Sequence, residues 1–510
     1  MRAHHPRLMV MFRPPSRHTY GFQEGDAYDL PHLELQTLIH DRDYKHIHID
    51  FIPVTETERN SATDNSLQLQ STLQNQSRNQ LKKKKLKKNY NKGGTQSLYW
   101  LESSDTGDNV DIISTAVSRA VLTHALFCIE YSGSFSNDDW VCSVNNNKDA
   151  HFHESIDKID VISMSNTNMS NEERSNLLRT ISILLQQNGK DDFRQYFNEN
   201  HVLIYHCAYA QSSNVITHYL HIGNRMAIGL AGTRGAPSQT LRRTHRGILK
   251  EYALKHRFGV TAESDRSDVS TAMEPEIGFL MANLALAGTD GGQRVLDPCC
   301  GSGSLLLYAA ALGAADLVGV DFLSSVWESA KDEFNRHASV VGKNNNSNTK
   351  LAMPKFFHGD VLDPSATECL HTTNTFDAIV VDPPYNIGAP VLLAGQDARP
   401  VNYHHDDDKG DEEGKENSVE EAANDITKSI LAIARGVLVD GGRLVFFLPV
   451  RGEEMHMSLE QLLLTKRWMI SGPEEQLKIQ FGRLQRFTPT FARWLVCMTK
   501  APVNSIMREQ

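Results

Sequence analysis

From Ile277 onward the chain alternates short unbroken apolar runs with longer stretches that repeat apolar residues at helical spacing. IGFLMANLALAG (Ile277–Gly288) reads as a helix, RVLD (Arg294–Asp297) as a strand, SLLLYAAALG (Ser304–Gly313) as a helix and LVGVD (Leu317–Asp321) as a strand. SVWESAKDEFNRHA (Ser325–Ala338) predicts the next helix, FFHGD (Phe356–Asp360) and AIVVD (Ala378–Asp382) two more strands, and ITKSILAIARGVL (Ile426–Leu438) another helix. A DGG turn at Asp440–Gly442 then leads into the strand RLVFFLPV (Arg443–Val450). Runs of β-branched residues without polar alternation fit strands covered on both faces, and alternating strands and helices build a doubly wound parallel sheet. LKIQFGRLQRFTPTFARWLVCMTK (Leu477–Lys500) reads as two strands closing that sheet with an antiparallel hairpin.

The earlier half reads as an α+β region. Leu8–Phe12, Ser97–Leu101, Phe127–Tyr131 and Val202–His206 predict strands, and Val110–Leu126 and Asn171–Gln187 predict helices. Two stretches poor in core formers interrupt the pattern: Thr55–Gln96, and His404–Asp425 with ten acids against two lysines. Both read as disordered insertions, with smaller ones at Asn146–Lys148 and Asn344–Asn348. The expected division is a region at 1–240, a basic linker at 241–270 and a sheet domain at 271–503.

Composition changes this picture little. The 510 residues are 40% hydrophobic and 22% charged, ordinary for a globular chain, and the net charge of -10 means that a polyanion partner must meet a local basic surface. Seven cysteines without CxxC spacing point to reduced thiols, with no zinc site readable. The apolar runs fall short of a membrane span, LMVMF reads as a first strand rather than a signal core, and the expected location is cytoplasmic. The KKKKLKK run (Lys82–Lys88) reads as a solvated spacer.

Candidate chemistry sits at the strand ends. Four predicted strands finish in aspartate: Asp297, Asp321, Asp360 and Asp382. One such Asp reads as a cap or turn, but four in register at the ligand-facing edge point to a ligand. The Gly-rich turn DPCCGSGS (Asp297–Ser304) alone would also suit a dinucleotide. A pyrophosphate would repel a ring of carboxylates, whereas S-adenosylmethionine carries an ammonium and a sulfonium. Gly301 and Gly303 would admit its methionyl part, Asp321 its ribose and Asp360 its adenine amine. Cys299 and Cys300 read as small loop fillers.

The strand AIVVD runs into DPPY (Asp382–Tyr385), where two prolines stiffen the loop. Asp382 and the Pro383 carbonyl could accept both N–H bonds of a nucleobase amine, Pro384 would hold the loop and Tyr385 could stack on an extruded base. DPPY behind such a sheet resembles the amino-methyltransferases of adenine, cytosine, guanine or glutamine amides. EYALKHRFGV (Glu251–Val260), TAMEPEIGFLMAN (Thr271–Asn283) and RLVFFLPV further resemble the catalytic subunits of the tRNA (guanine-N2-)-methyltransferase family acting at guanosine-10. That resemblance implies a Rossmann-like S-adenosylmethionine-dependent methyltransferase sheet behind a THUMP-type α+β region, to which DLPHLELQTLI (Asp29–Ile39) is similar. It implies a cofactor set of Thr271, Met273, Glu276, Asp297, Pro298, Gly301, Gly303, Asp321, Phe322, Asp360 and Val361, a tRNA substrate and a small zinc-binding activator subunit. Asn386 stands where the family has Gly, and TAMEPE varies from its TSMDAE.

For RNA, Thr233–Arg257 holds seven Lys or Arg against one Glu, and Arg242, Arg243, Arg246, Lys250, Lys255 and Arg257 are the candidate phosphate contacts. A DNA or rRNA amino-methyltransferase is the rival within the chemistry, and a non-catalytic RNA-binding protein on the same fold the rival outside it. The short interval from Asp360 to Asp382 leaves no room for an inserted target-recognition domain.

Overall fold

A computed structural model describes residues 7–12, 30–39, 49–53, 97–103, 109–136, 160–163, 201–210, 215–229, 273, 275–287, 291–322, 331, 334, 352–363, 376–384, 412–468 and 476–502. The chain forms two compact units, one of Met1–Pro15 with His46–Arg234 and the other of Ser16–Lys45 with Gly235–Gln510.

The first unit is built on a seven-stranded sheet of β1 (Arg7–Phe12), β2 (Ile49–Pro53), β3 (Ser97–Ser103), β4 (Thr123–Ser136), β5 (Asp160–Ser163), β6 (His201–Ala210) and β7 (Val215–Ile228), in the order β2-β3-β1-β4-β7-β6-β5. The expected first strand and the three expected after it are all present. The helix expected over Val110–Leu126 is shorter: it spans Val110–Arg119, with Ile113, Ala116 and Val117 buried one helical turn apart. Ala120 leaves the helix in an extended conformation, and the apolar residues from Thr123 onward enter β4. A continuous apolar run satisfies either period, and pairing with β1 and β7 decides it.

The second unit carries α1 (Leu30–Ile39), α3 (Pro275–Ala285), β8 (Arg294–Asp297), α4 (Ser304–Ala311), β9 (Asp316–Asp321), β10 (Lys355–His358), β11 (Phe376–Val381), α5 (Glu412–Val437), β12 (Leu438–Arg451), α6 (Leu459–Thr465), β13 (Leu477–Arg486) and β14 (Phe491–Lys500), with α2 being Val110–Arg119 in the first unit. Its sheet runs β10-β9-β8-β11-β12-β14-β13. β8 to β12 are parallel neighbours, and β14 pairs antiparallel with both β12 and β13, as the expected closing hairpin requires. The α/β reading of the sequence therefore holds.

Packing follows from the residues. α4 is apolar all round and buried from Ser304 to Ala310, and α3 approaches it closely because Gly278 has no side chain: a Cβ there would lie 2.3 Å from the Tyr308 ring. α1 joins this unit through a buried hydrogen bond, Asn283 Nδ2 donating to Glu34 Oε1 at 3.0 Å.

Two expectations need correction. The acidic stretch after His404 is not disordered throughout, because α5 already begins at Glu412; its Glu, Lys and Ala residues are good helix formers. DGG is not a turn between elements but a bulge inside β12, where pairing with β11 jumps from Phe376↔Leu438 to Ala378↔Arg443 and Gly441 takes a φ of 77°. The helices expected at Asn171–Gln187 and Ser325–Ala338, and the insertions at Thr55–Gln96, Asn146–Lys148 and Asn344–Asn348, lie outside the described residues apart from Lys331 and Phe334.

Candidate active site

Parallel strands share one polarity, so the carboxyl ends of β8, β9, β10 and β11 meet at one edge of the sheet. Asp297 closes β8, Asp321 closes β9, Asp360 follows β10 and Asp382 follows β11. Three of the acids brace backbone there. The Cys299 amide donates to Asp297 Oδ1 at 3.1 Å and the Leu362 amide to Asp360 Oδ1 at 2.9 Å, each closing a tight turn two residues on. The Gly301 amide donates to Asp321 Oδ2 at 2.7 Å, tying the Gly-rich loop to the end of the next strand.

Turn-making does not exhaust these carboxylates, because they also converge. Burial pushes the Cys299 thiol well above its ordinary range, and negative charge on Asp297, Asp321, Asp360 and Asp382 pushes it the same way. One sulfur thus feels all four acids. Asp297 is 1% exposed; burial pushes its carboxyl well above the usual carboxylate range, the Cys299 amide opposes this, and Asp321 and Asp382 add to it.

The Gly-rich loop owes its shape to glycine at three points. Gly301 and Gly303 take φ of 48° and 71°, and Gly303 caps α4 from a left-handed conformation. Gly319, inside β9, lets the loop lie against the sheet. A Cβ there would come within 2.9 Å of both Cys300 Sγ and Phe356 Cδ1, while the Cys300 amide donates to the Val320 carbonyl at 2.9 Å. The sequence reading missed Gly319, although a lone Gly within LVGVD signals close backbone approach.

It also missed Arg493. This residue of β14 is opposite Pro449 on β12, and its Nη1 stands 3.6 Å from Asp382 Oδ1, with the two side chains 8% and 19% exposed. Its guanidinium carbon lies 3.6 Å from the Phe447 ring centroid and 5.0 Å from that of Phe487, and Nε donates to Gln485 Oε1 at 2.7 Å. The available signal was a cation within the apolar strand FARWLVCM.

Of the expected residues, Asp297, Pro298, Gly301, Gly303, Asp321, Phe322, Asp360, Val361, Asp382, Pro383 and Pro384 all lie at the carboxyl ends of β8 to β11 or in the loops leaving them. The Phe322 ring is 6.3 Å from that of His358. Met273 is buried and packs beside Gly278 at the α3–α4 contact. Glu276 lies on α3, with its side chain outside the description; Thr271, Tyr385, Asn386 and the six basic candidates lie outside the described residues. Among the described residues no His, Cys, Asp and Glu cluster is arranged to hold a metal, and no helix is long and apolar enough to cross a membrane.

The donor set fits S-adenosylmethionine. Carboxylates gathered at a glycine loop attract an ammonium and a sulfonium and repel phosphates. Sheet order defines a doubly wound, Rossmann-like α/β domain, with the acids and the glycine loop at its ligand-facing edge. Residues 266–389 match the family described as UPF0020, an RMKL-like methyltransferase domain.

Among curated relatives, the chain is 26% identical over 252 residues to the tRNA (guanine(10)-N(2))-methyltransferase TRMT11 of Dictyostelium discoideum, covering 44% of this chain and 47% of that one. It is 25% identical over 208 residues to the Homo sapiens protein of that name, covering 40% and 42%. The chain thus spans about half the length of the curated relatives it matches. Among solved structures, TrmN from Thermus thermophilus aligns over 97% of this chain and 99% of its own at 12% identity and a TM-score of 0.35. The rRNA methyltransferase aviRa from Streptomyces viridochromogenes aligns over 48% and 92% at 14% identity and a TM-score of 0.29.

Proposed function

We propose that this chain transfers a methyl group from S-adenosylmethionine to the exocyclic N2 amine of a guanosine in tRNA, guanosine-10 being the position in the relatives' name. The observation that carries the reading is Asp382, followed by two prolines, standing at the same strand-end edge as Asp297, Asp321 and Asp360. S-adenosylmethionine supplies an electrophilic methyl group on sulfur.

In this reading Asp321 meets the ribose, Asp360 the adenine side and the Gly301–Gly303 loop the methionyl part, with Thr271, Met273 and Glu276 completing that end. An exocyclic amine is a poor nucleophile because its lone pair is shared with the ring. Asp382 and the Pro383 carbonyl accept its two N–H bonds and turn the lone pair outward, while Tyr385 stacks on the extruded base. Asp382 then offsets the positive charge on the product nitrogen, so no strong base is needed. The region ahead of residue 240, as a THUMP-like module, and the cations Arg242, Arg243, Arg246, Lys250, Lys255 and Arg257 hold the RNA. A small zinc-binding subunit serves as activator, and the complex works in the cytoplasm.

The test is methyl transfer from labelled S-adenosylmethionine to unmodified tRNA, with and without that subunit, followed by mass-spectrometric mapping of the product. Label in N2-methylguanosine that disappears with Asp382→Ala, at unchanged cofactor affinity, supports the reading. Transfer to duplex DNA alone, or RNA binding without transfer, overturns it.

A further inference from the structure

Asp382 comes from β11 and Arg493 from β14, two strands that are not neighbours; β12 lies between them. The meeting is nonetheless specified, because the Arg493 head is held from several sides. Gln485, opposite Arg493 on β13, accepts from Nε; the guanidinium sits over the Phe447 ring of β12; Phe487, just past β13, flanks it. A guanidinium this buried is costly unless a carboxylate faces it, and Asp382 does.

We propose that Arg493 is the positioning residue for Asp382: it fixes the direction of the carboxylate and sets a cation beside it amid the other acids. The inference rests on the reading of Asp382 as the group that grips the amine. Asp297 on β8, Asp321 on β9 and Asp360 beyond β10 share that edge with Asp382, and all four oppose negative charge on the Cys299 sulfur. A protonated Asp382 would lose an acceptor site and could not offset a cationic nitrogen. Arg493 supplies the opposing charge from the far side, so the closing hairpin serves the chemistry as well as the edge of the sheet.

The full-length protein, with its activator if transfer requires one, tests this by single-turnover methyl transfer to tRNA across pH. Arg493→Met, which keeps the stem and removes the charge, should leave S-adenosylmethionine affinity within about threefold. It should slow transfer roughly 100-fold, the usual effect of misplacing a catalytic group by an ångström. The acid limb of its profile should move to higher pH, and Arg493→Lys should restore part of the rate and of the limb. In an Asp382→Asn background, Arg493→Met should add little, since the two act as one unit.

A wild-type rate and pH profile in Arg493→Met overturns the proposal, and so does a full additional loss in the Asp382→Asn background. If Arg493→Met does not fold, Gln485→Ala decides: it leaves the charge but frees the fork, and an undiminished rate overturns the proposal. Full activity in Asp382→Ala would instead defeat the parent reading, whatever Arg493 does.

Discussion

The Gly301 amide donates a 2.7 Å hydrogen bond to Asp321 Oδ2, so the acid proposed to meet the ribose also holds the loop proposed for the methionyl end. Asp321→Ala should therefore weaken S-adenosylmethionine binding by more than one lost contact. Hydrogen bonds to charged groups contribute about 1.5–3 kcal/mol, which corresponds to a loss of roughly 10- to 100-fold in affinity. Titration calorimetry checks this. Unchanged affinity would remove Asp321 from the site.

Gly319 makes room for Cys300, Phe356 and Leu306 at once. Gly319→Val should cost about 1–3 kcal/mol by overpacking, and should push the Gly-rich loop off β9. Denaturant melts should show the lost stability, and cofactor affinity should fall with it. A stable variant binding the cofactor normally would mean that the loop does not depend on this close approach.

Asp297 predicts a pH dependence of unusual sign. Its folded carboxyl titrates well above the ordinary 3.8, so between that value and the folded one the native state holds the proton that the unfolded chain has released. Stability from this residue is present below the ordinary value and is lost as pH rises through the window. Asp297→Asn keeps an acceptor for the Cys299 amide and removes the ionisation. It should raise Tm at neutral pH by about 2–4 °C, and the gain should shrink toward acid conditions. Thermal melts at several pH values decide it; a gain that grows on acidification contradicts the assignment.

Replacing Arg242, Arg243 and Arg246 together should weaken tRNA binding and lower its salt slope by roughly two, since each phosphate contact contributes about 0.7–0.9. Filter binding at several salt concentrations measures the slope. An unchanged slope would place the RNA surface elsewhere.

The sequence disclosed the four acids because strand order did not matter to them: any parallel arrangement brings residues at strand ends to one edge. It disclosed the closing hairpin because an alternating apolar–polar strand and a largely apolar one flank a Thr-Pro-Thr turn. The partner of Arg493 was illegible for the opposite reason. It is determined by β14 inserting beside β12, and nothing local to FARW records that. The overlong helix at Val110–Leu126 reflects one apolar run serving two periods, and the helical start of α5 reflects acids whose propensity outweighs their polarity.

The course of the backbone carries one more consequence. α1 lies in sequence between β1 and β2, yet it groups with the second sheet while both strands belong to the first unit. No single cut in the polypeptide therefore releases both halves whole. A fragment starting after Arg234 would leave Asn283 facing water where Glu34 had been, and proteolytic dissection or gene splitting at the apparent border should yield an aggregation-prone second unit that is rescued by adding back the Leu30–Ile39 peptide.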